Sequence, residues 1–66
     1  MKIRVNGKQQ DVAADCTVRG LLLALGVDGE GIAIALNGAV LRRGDWGETP
    51  LSDGDAVEIV RAVGGG

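Results

Sequence analysis

The sequence predicts an α+β fold in which a mixed β-sheet of four to five strands packs on one short helix. Three observations carry that expectation. Asn6-Gly7 and Asn37-Gly38 each supply a two-residue turn that tolerates positive φ at both central positions, so each marks a β-hairpin. Between the hairpins, Thr17 to Leu25 is the stretch whose apolar residues recur with helical spacing. Beyond the second hairpin, Ala56 to Val63 reads as a long final strand.

Each element has a local reason. Ile3 and Val5 alternate with Lys2 and Arg4, which makes a strand with one apolar face, and the return strand, Lys8 to Val12, is polar enough to form a sheet edge. Thr17 is a good N-cap; Val18, Leu21, Leu22 and Leu25 share one helix face, and Gly26 is placed to stop the helix. Gly20 within that helix costs about 1 kcal/mol relative to Ala, which signals either a weak helix or a close backbone approach. After a connection at Asp28 to Gly31, Ile32, Ile34 and Leu36 point one way while Ala33 and Ala35 point the other. Ala39 to Arg42 forms a short strand, Gly44 to Pro50 an irregular loop anchored by Trp46, and Asp53-Gly54-Asp55 a turn. In the last strand Val57 and Ile59 oppose Glu58 and Val60.

The order is thus strand, strand, helix, strand, short strand, long strand. With the first and last strands as parallel central neighbours, this is the ubiquitin-like β-grasp arrangement. Residues 1–63 form the domain and residues 64–66 a flexible glycine tail; no repeat or second domain is visible.

Composition narrows the function. A chain of 66 residues has room for one modest core and no elaborate active site. Cys16 is the only cysteine and there is no histidine, so neither a disulfide nor a metal-ligand spacing can be assembled, and no nucleophile, base and orienting group come together. Seven scattered Lys/Arg against nine Asp/Glu, with Trp46 the one aromatic, argue against nucleic-acid binding. The apolar runs Leu21 to Leu25 and Ile32 to Leu36 are too short to span a bilayer, and Met1 leads directly into a strand rather than a signal peptide, so a cytoplasmic location is expected.

The remaining chemistry lies in Gly64-Gly65-Gly66. Three glycines give about 10 Å of backbone without side chains, at about 3.3 Å per residue. Such an arm can thread a narrow channel and bring its last carboxylate to ATP, and then to a nucleophile, with no Cβ in the way. An acyl-adenylate formed there is a mixed anhydride, which a sulfur donor converts to a thiocarboxylate. The carrier needs no catalytic group of its own.

Three segments, Ile34-Ala35-Leu36-Asn37-Gly38, Trp46-Gly47-Glu48-Thr49-Pro50-Leu51 and the run from Asp53 to Gly66, resemble the ThiS-type sulfur carriers of thiamine biosynthesis. The resemblance spans essentially the whole chain and is most distinctive in its second half. It implies that Gly66 bears the thiocarboxylate, with Gly65 completing the family's terminal glycine pair and Gly64 lengthening the arm. It also implies a protein co-substrate rather than an enzyme, with no bound cofactor. The implied partners are a ThiF-like adenylating enzyme that uses ATP and magnesium, a cysteine-desulfurase sulfur source and a ThiG-like thiazole synthase. The small subunit of molybdopterin synthase shares the fold and terminal chemistry but is usually longer. A ubiquitin-like modifier, in which a lysine attacks the activated Gly66, and a non-covalent β-grasp interaction module with an inert tail are the other readings.

If Val57 and Ile59 face the helix, Val60 and Ala62 emerge on the opposite sheet face near Ala33 and Ala35, forming an apolar patch beside the tail and a partner interface. Cys16 reads as a half-buried small hydrophobe without function, Trp46 as loop packing rather than a partner anchor, and Arg42, Arg43 and Arg61 with Asp53, Asp55 and Glu58 as a solvated mixed-charge surface.

Overall fold

The computed structural model describes residues 1–61. Among these, five strands form one sheet, β1 (Lys2–Val5), β2 (Lys8–Asp11), β3 (Ile32–Leu36), β4 (Ala39–Leu41) and β5 (Ala56–Arg61), in the spatial order β2-β1-β5-β3-β4. β1 and β5 are parallel, while the β1–β2, β3–β4 and β3–β5 pairs are antiparallel. The helix α1 (Val18–Leu25) covers one face of the sheet, as the β-grasp reading expects.

The local signals act as read. Asn6 and Asn37 take positive φ of 51° and 50°, followed by Gly7 at 83° and Gly38 at 86°, the geometry of two-residue turns with both central residues left-handed. Thr17 caps α1 by accepting a hydrogen bond from the Gly20 amide at 3.1 Å. At the other end Gly26 turns left-handed, its amide donates to the Leu23 carbonyl at 3.1 Å, and the Val27 amide donates to the Leu22 carbonyl at 2.9 Å. These two bonds form the Schellman closure and satisfy carbonyls the helix leaves open. A Cβ on Gly20 would meet Cys16 Sγ and Thr17 Oγ1 at 3.4 Å, ordinary contact distance, so no close backbone approach demands the glycine.

Ile3, Val5, Val18, Leu21, Leu22, Ile34, Trp46, Leu51 and Val57 form the core between sheet and helix. Leu25, the last residue of the helix's apolar stripe, lies at the surface because the helix ends there.

The segment expected to be an irregular loop is instead a 3₁₀ helix, η1 (Arg43–Glu48). Its tight turn is closed by the Asp45 amide donating to the Arg42 carbonyl at 2.9 Å and by Thr49 Oγ1 donating to the Asp45 carbonyl at 2.7 Å. That turn drives Trp46 inward until it is 1% exposed. Its indole Nε1 donates to the Leu41 carbonyl at 3.3 Å, and Arg19 and Arg43 lie 5.9 and 5.8 Å from the ring centre. Trp46 is therefore a central core residue, deeper than the loop anchor expected. Backbone bonds from Val18 to Thr49 and from Leu51 to Cys16 tie the segment after η1 to the start of α1, which seats Leu51 in the core.

Candidate functional site: the open sheet face and the end of the central strand

β5 is the central strand, and two asparagines hold it from opposite flanks. At its start the Asn37 amide donates to the Ala56 carbonyl at 2.8 Å, and Asn37 Oδ1 accepts from the Ala56 amide at 2.9 Å. Asn37 Nδ2 donates to Asp55 Oδ1 at 3.0 Å. Further along, the Asn6 amide donates to the Val57 carbonyl at 2.9 Å, Asn6 Oδ1 accepts from the Ile59 amide at 2.8 Å, and Asn6 Nδ2 donates to the Ile59 carbonyl at 3.3 Å. Both residues read in the sequence as turn formers only. Their second role depends on chain positions 53 and 19 residues away, for which turn chemistry carries no signal.

Strand register brings the expected patch together on the face that α1 does not cover. Val60 pairs with Ala33, and Ala35 lies between Val40 on β4 and Glu58 on β5. Val57 is buried and Ile59 half-buried on the helix side, while Val60 is 57% exposed on the open side. Val40, 81% exposed, joins the same face; alternation through the second hairpin, with Val40 opposite Ala35, is the signal that could have found it. Ala62, Gly64, Gly65 and Gly66 lie outside the described residues.

The other candidates fall elsewhere. Cys16 is half-buried against the core, its Sγ 3.3 Å from the Thr17 carbonyl it donates to. Arg43 reaches Glu30 Oε1 at 3.4 Å across the surface, a contact of small energetic weight. Among the described residues, no helix is long and apolar enough to cross a membrane, and no group of three or more His, Cys, Asp or Glu is placed to hold a metal ion.

The described residues thus form a domain whose open sheet face carries an apolar patch beside Glu58, and whose central strand leads, in sequence, to three glycines. The family model described as the ThiS family matches residues 3–66. The chain belongs to the ThiS family. Its match to the sulfur carrier protein ThiS of Escherichia coli is 32% identical and covers all of both chains. A crystal structure of the thiamine biosynthesis protein ThiS from Geobacter metallireducens superposes with a TM-score of 0.88 at 43% identity, again over the whole of both chains. The chain is also 41% identical to a thiazole synthase of Magnetococcus marinus, of whose length it spans 20%. This ThiS-family agreement over the full described fold bears out the β-grasp expectation.

Proposed function

We propose that this chain is a sulfur carrier for thiazole formation in thiamine biosynthesis, with the Gly66 carboxylate as the group that carries sulfur. A ThiF-like enzyme using ATP and magnesium joins that carboxylate to AMP and releases pyrophosphate. Persulfide sulfur supplied through a cysteine desulfurase then displaces AMP, a thiol reductant cleaves the resulting acyl persulfide to the thiocarboxylate, and a ThiG-like thiazole synthase accepts the sulfur. The chain acts as co-substrate; its own residues present the carboxylate and are gripped by partners. The observation that carries the reading is the ThiS-family match running to Gly66 from a domain whose central strand leads to the glycines. Support for the thiazole synthase as acceptor comes from the thiazole synthases of Magnetococcus marinus and Paramagnetospirillum magneticum, which are 41% and 36% identical to this chain over 20% of their own lengths.

In this reading Val60, Ala33, Ala35 and Val40, with Ala62, form the surface that the activating and accepting enzymes hold while Gly64 and Gly65 extend Gly66 into the active site. The test is an intact mass after incubation with a ThiF-like enzyme, ATP and a sulfide source, beside a chain lacking Gly66. A gain equal to one oxygen replaced by sulfur, confined to the full chain, is expected. Attachment to a lysine would point to a protein modifier. No adenylate and no sulfur gain, from an enzyme competent on another carrier, would overturn the reading in favour of a non-covalent module.

A further inference from the structure

We propose that Asn6 is a positioning residue that holds the later part of β5 in place for partner binding, an inference that rests on the sulfur-carrier reading above. The β1–β5 ladder pairs Arg4 with Ala56 and Val5 with Val57, and there β1 ends in the Asn6-Gly7 turn. On β5's other flank the ladder continues through Ile59, Val60 and Arg61, paired with Ile34, Ala33 and Ile32. Without a further contact, β5 beyond Val57 would therefore be held on the β3 side alone. The Asn6 side-chain amide fills the gap. Its carbonyl oxygen accepts from the Ile59 N–H at 2.8 Å and its NH₂ donates to the Ile59 carbonyl at 3.3 Å, so one carboxamide makes to one residue the two bonds a neighbouring strand would make. The Asn6 backbone, left-handed at φ 51°, aims the side chain along the sheet, and Asn is among the few residues that tolerate that conformation.

With β5 held on both flanks as far as Ile59, only Val60 and Arg61 of its described residues rest on β3 alone, so less of the strand is left to be ordered when a partner enzyme binds. Asn37 provides an internal control. Its Oδ1 likewise accepts from a β5 amide, that of Ala56, at the start of the strand rather than toward its end. The acceptor bond is the same in both; the donor differs, since Asn37 Nδ2 gives its hydrogen bond to Asp55 Oδ1 and Asn6 Nδ2 to the Ile59 carbonyl.

The experiment compares Asn6→Gly, Asn6→Asp and Asn37→Gly with the unaltered chain as substrates of a ThiF-like adenylating enzyme, reading KM and kcat for adenylation. Glycine keeps the positive φ and removes the carboxamide; aspartate keeps the acceptor for the Ile59 N–H and loses the donor. Asn6→Gly is expected to raise KM about five- to tenfold with kcat within about twofold, because binding must then order the strand end while the chemistry of the seated carboxylate is unchanged. Asn6→Asp should fall between, and Asn37→Gly should leave KM within about twofold. Amide exchange in the free chain gives an enzyme-independent readout: Ile59 protection should drop about tenfold in Asn6→Gly and hold in Asn37→Gly. If Asn6→Gly does not fold, Asn6→Asp carries the comparison. An unchanged KM for the Asn6 variants, or an equal rise for Asn37→Gly, would overturn the inference while leaving the carrier reading intact. An unaltered chain that is not adenylated by a competent enzyme would overturn both.

Discussion

Replacing Trp46 with alanine should remove most of the stability of this domain. The indole is 1% exposed, and a buried tryptophan covers roughly 150–250 Å². At about 25 cal/mol per Å² that is worth about 4–6 kcal/mol, of which an alanine methyl recovers a small part; measured Trp→Ala losses of about 3–5 kcal/mol agree. The Leu41 carbonyl also loses the indole N–H that donates to it at 3.3 Å, adding about 1 kcal/mol. Against this, the whole domain has about 3–10 kcal/mol available, at about 0.05–0.15 kcal/mol per residue. Trp46→Ala should therefore be substantially unfolded without denaturant. Trp46→Phe keeps most of the apolar area and loses the hydrogen bond, so it should cost about 1–2 kcal/mol. The assay is urea unfolding followed by far-UV circular dichroism, since tryptophan fluorescence is lost with the residue. With an m-value of about 1 kcal/mol/M, Trp46→Phe should lower the midpoint by about 1–2 M. A loss below about 1 kcal/mol for Trp46→Ala, at unchanged m, would refute the placement of Trp46 at the centre of the core.

On the proposed function, Val60→Lys should weaken binding of a ThiF-like enzyme while changing stability by no more than about 0.5 kcal/mol, because Val60 is 57% exposed on the open face; a titration beside a urea melt separates the two, and unfolding would show that the strand faces are assigned the wrong way round. Gly29→Ala should destabilise by about 1–3 kcal/mol, since its Cβ would stand 3.0 Å from Trp46 Cζ3. In contrast Gly20→Ala should stabilise by about 0.5–1 kcal/mol through helix propensity, as its Cβ meets neighbours only at contact distance. The thermal midpoints of those two variants should move in opposite directions, and equal shifts would contradict the packing of Trp46 on Gly29.

Two of these substitutions act on opposite sides of the sheet. Trp46 packs under α1, whereas Val60 and Val40 lie on the face the helix leaves open. On the proposed function, stability and partner recognition are separable by mutation, and Trp46→Phe at a temperature where it is folded should match the unaltered chain in an adenylation assay.

The features legible in the chain are those governed by short-range physics. The period of two in Ile3 and Val5 and in Ile32, Ile34 and Leu36, the helical spacing of Val18, Leu21 and Leu22, the Thr17 and Gly26 caps and the two Asn-Gly turns each act within a few residues of themselves. Each stands in the structure where it was read, and the parallel pairing of β1 with β5, expected from the β-grasp arrangement rather than from any one of these signals, is present as well. Long-range packing set the features that no local window contains. Trp46 is a core residue because η1 turns it between α1 and Gly29, which depends on where residues far apart in the chain meet. Val40 joins Ala33, Ala35 and Val60 only through the register of β4 on β3 and β3 on β5. Asn6 and Asn37 announce turns in the sequence, but their carboxamides find Ile59 and Ala56 only after the sheet has closed, because a hydrogen bond across 53 or 19 residues is chosen by topology and not by propensity.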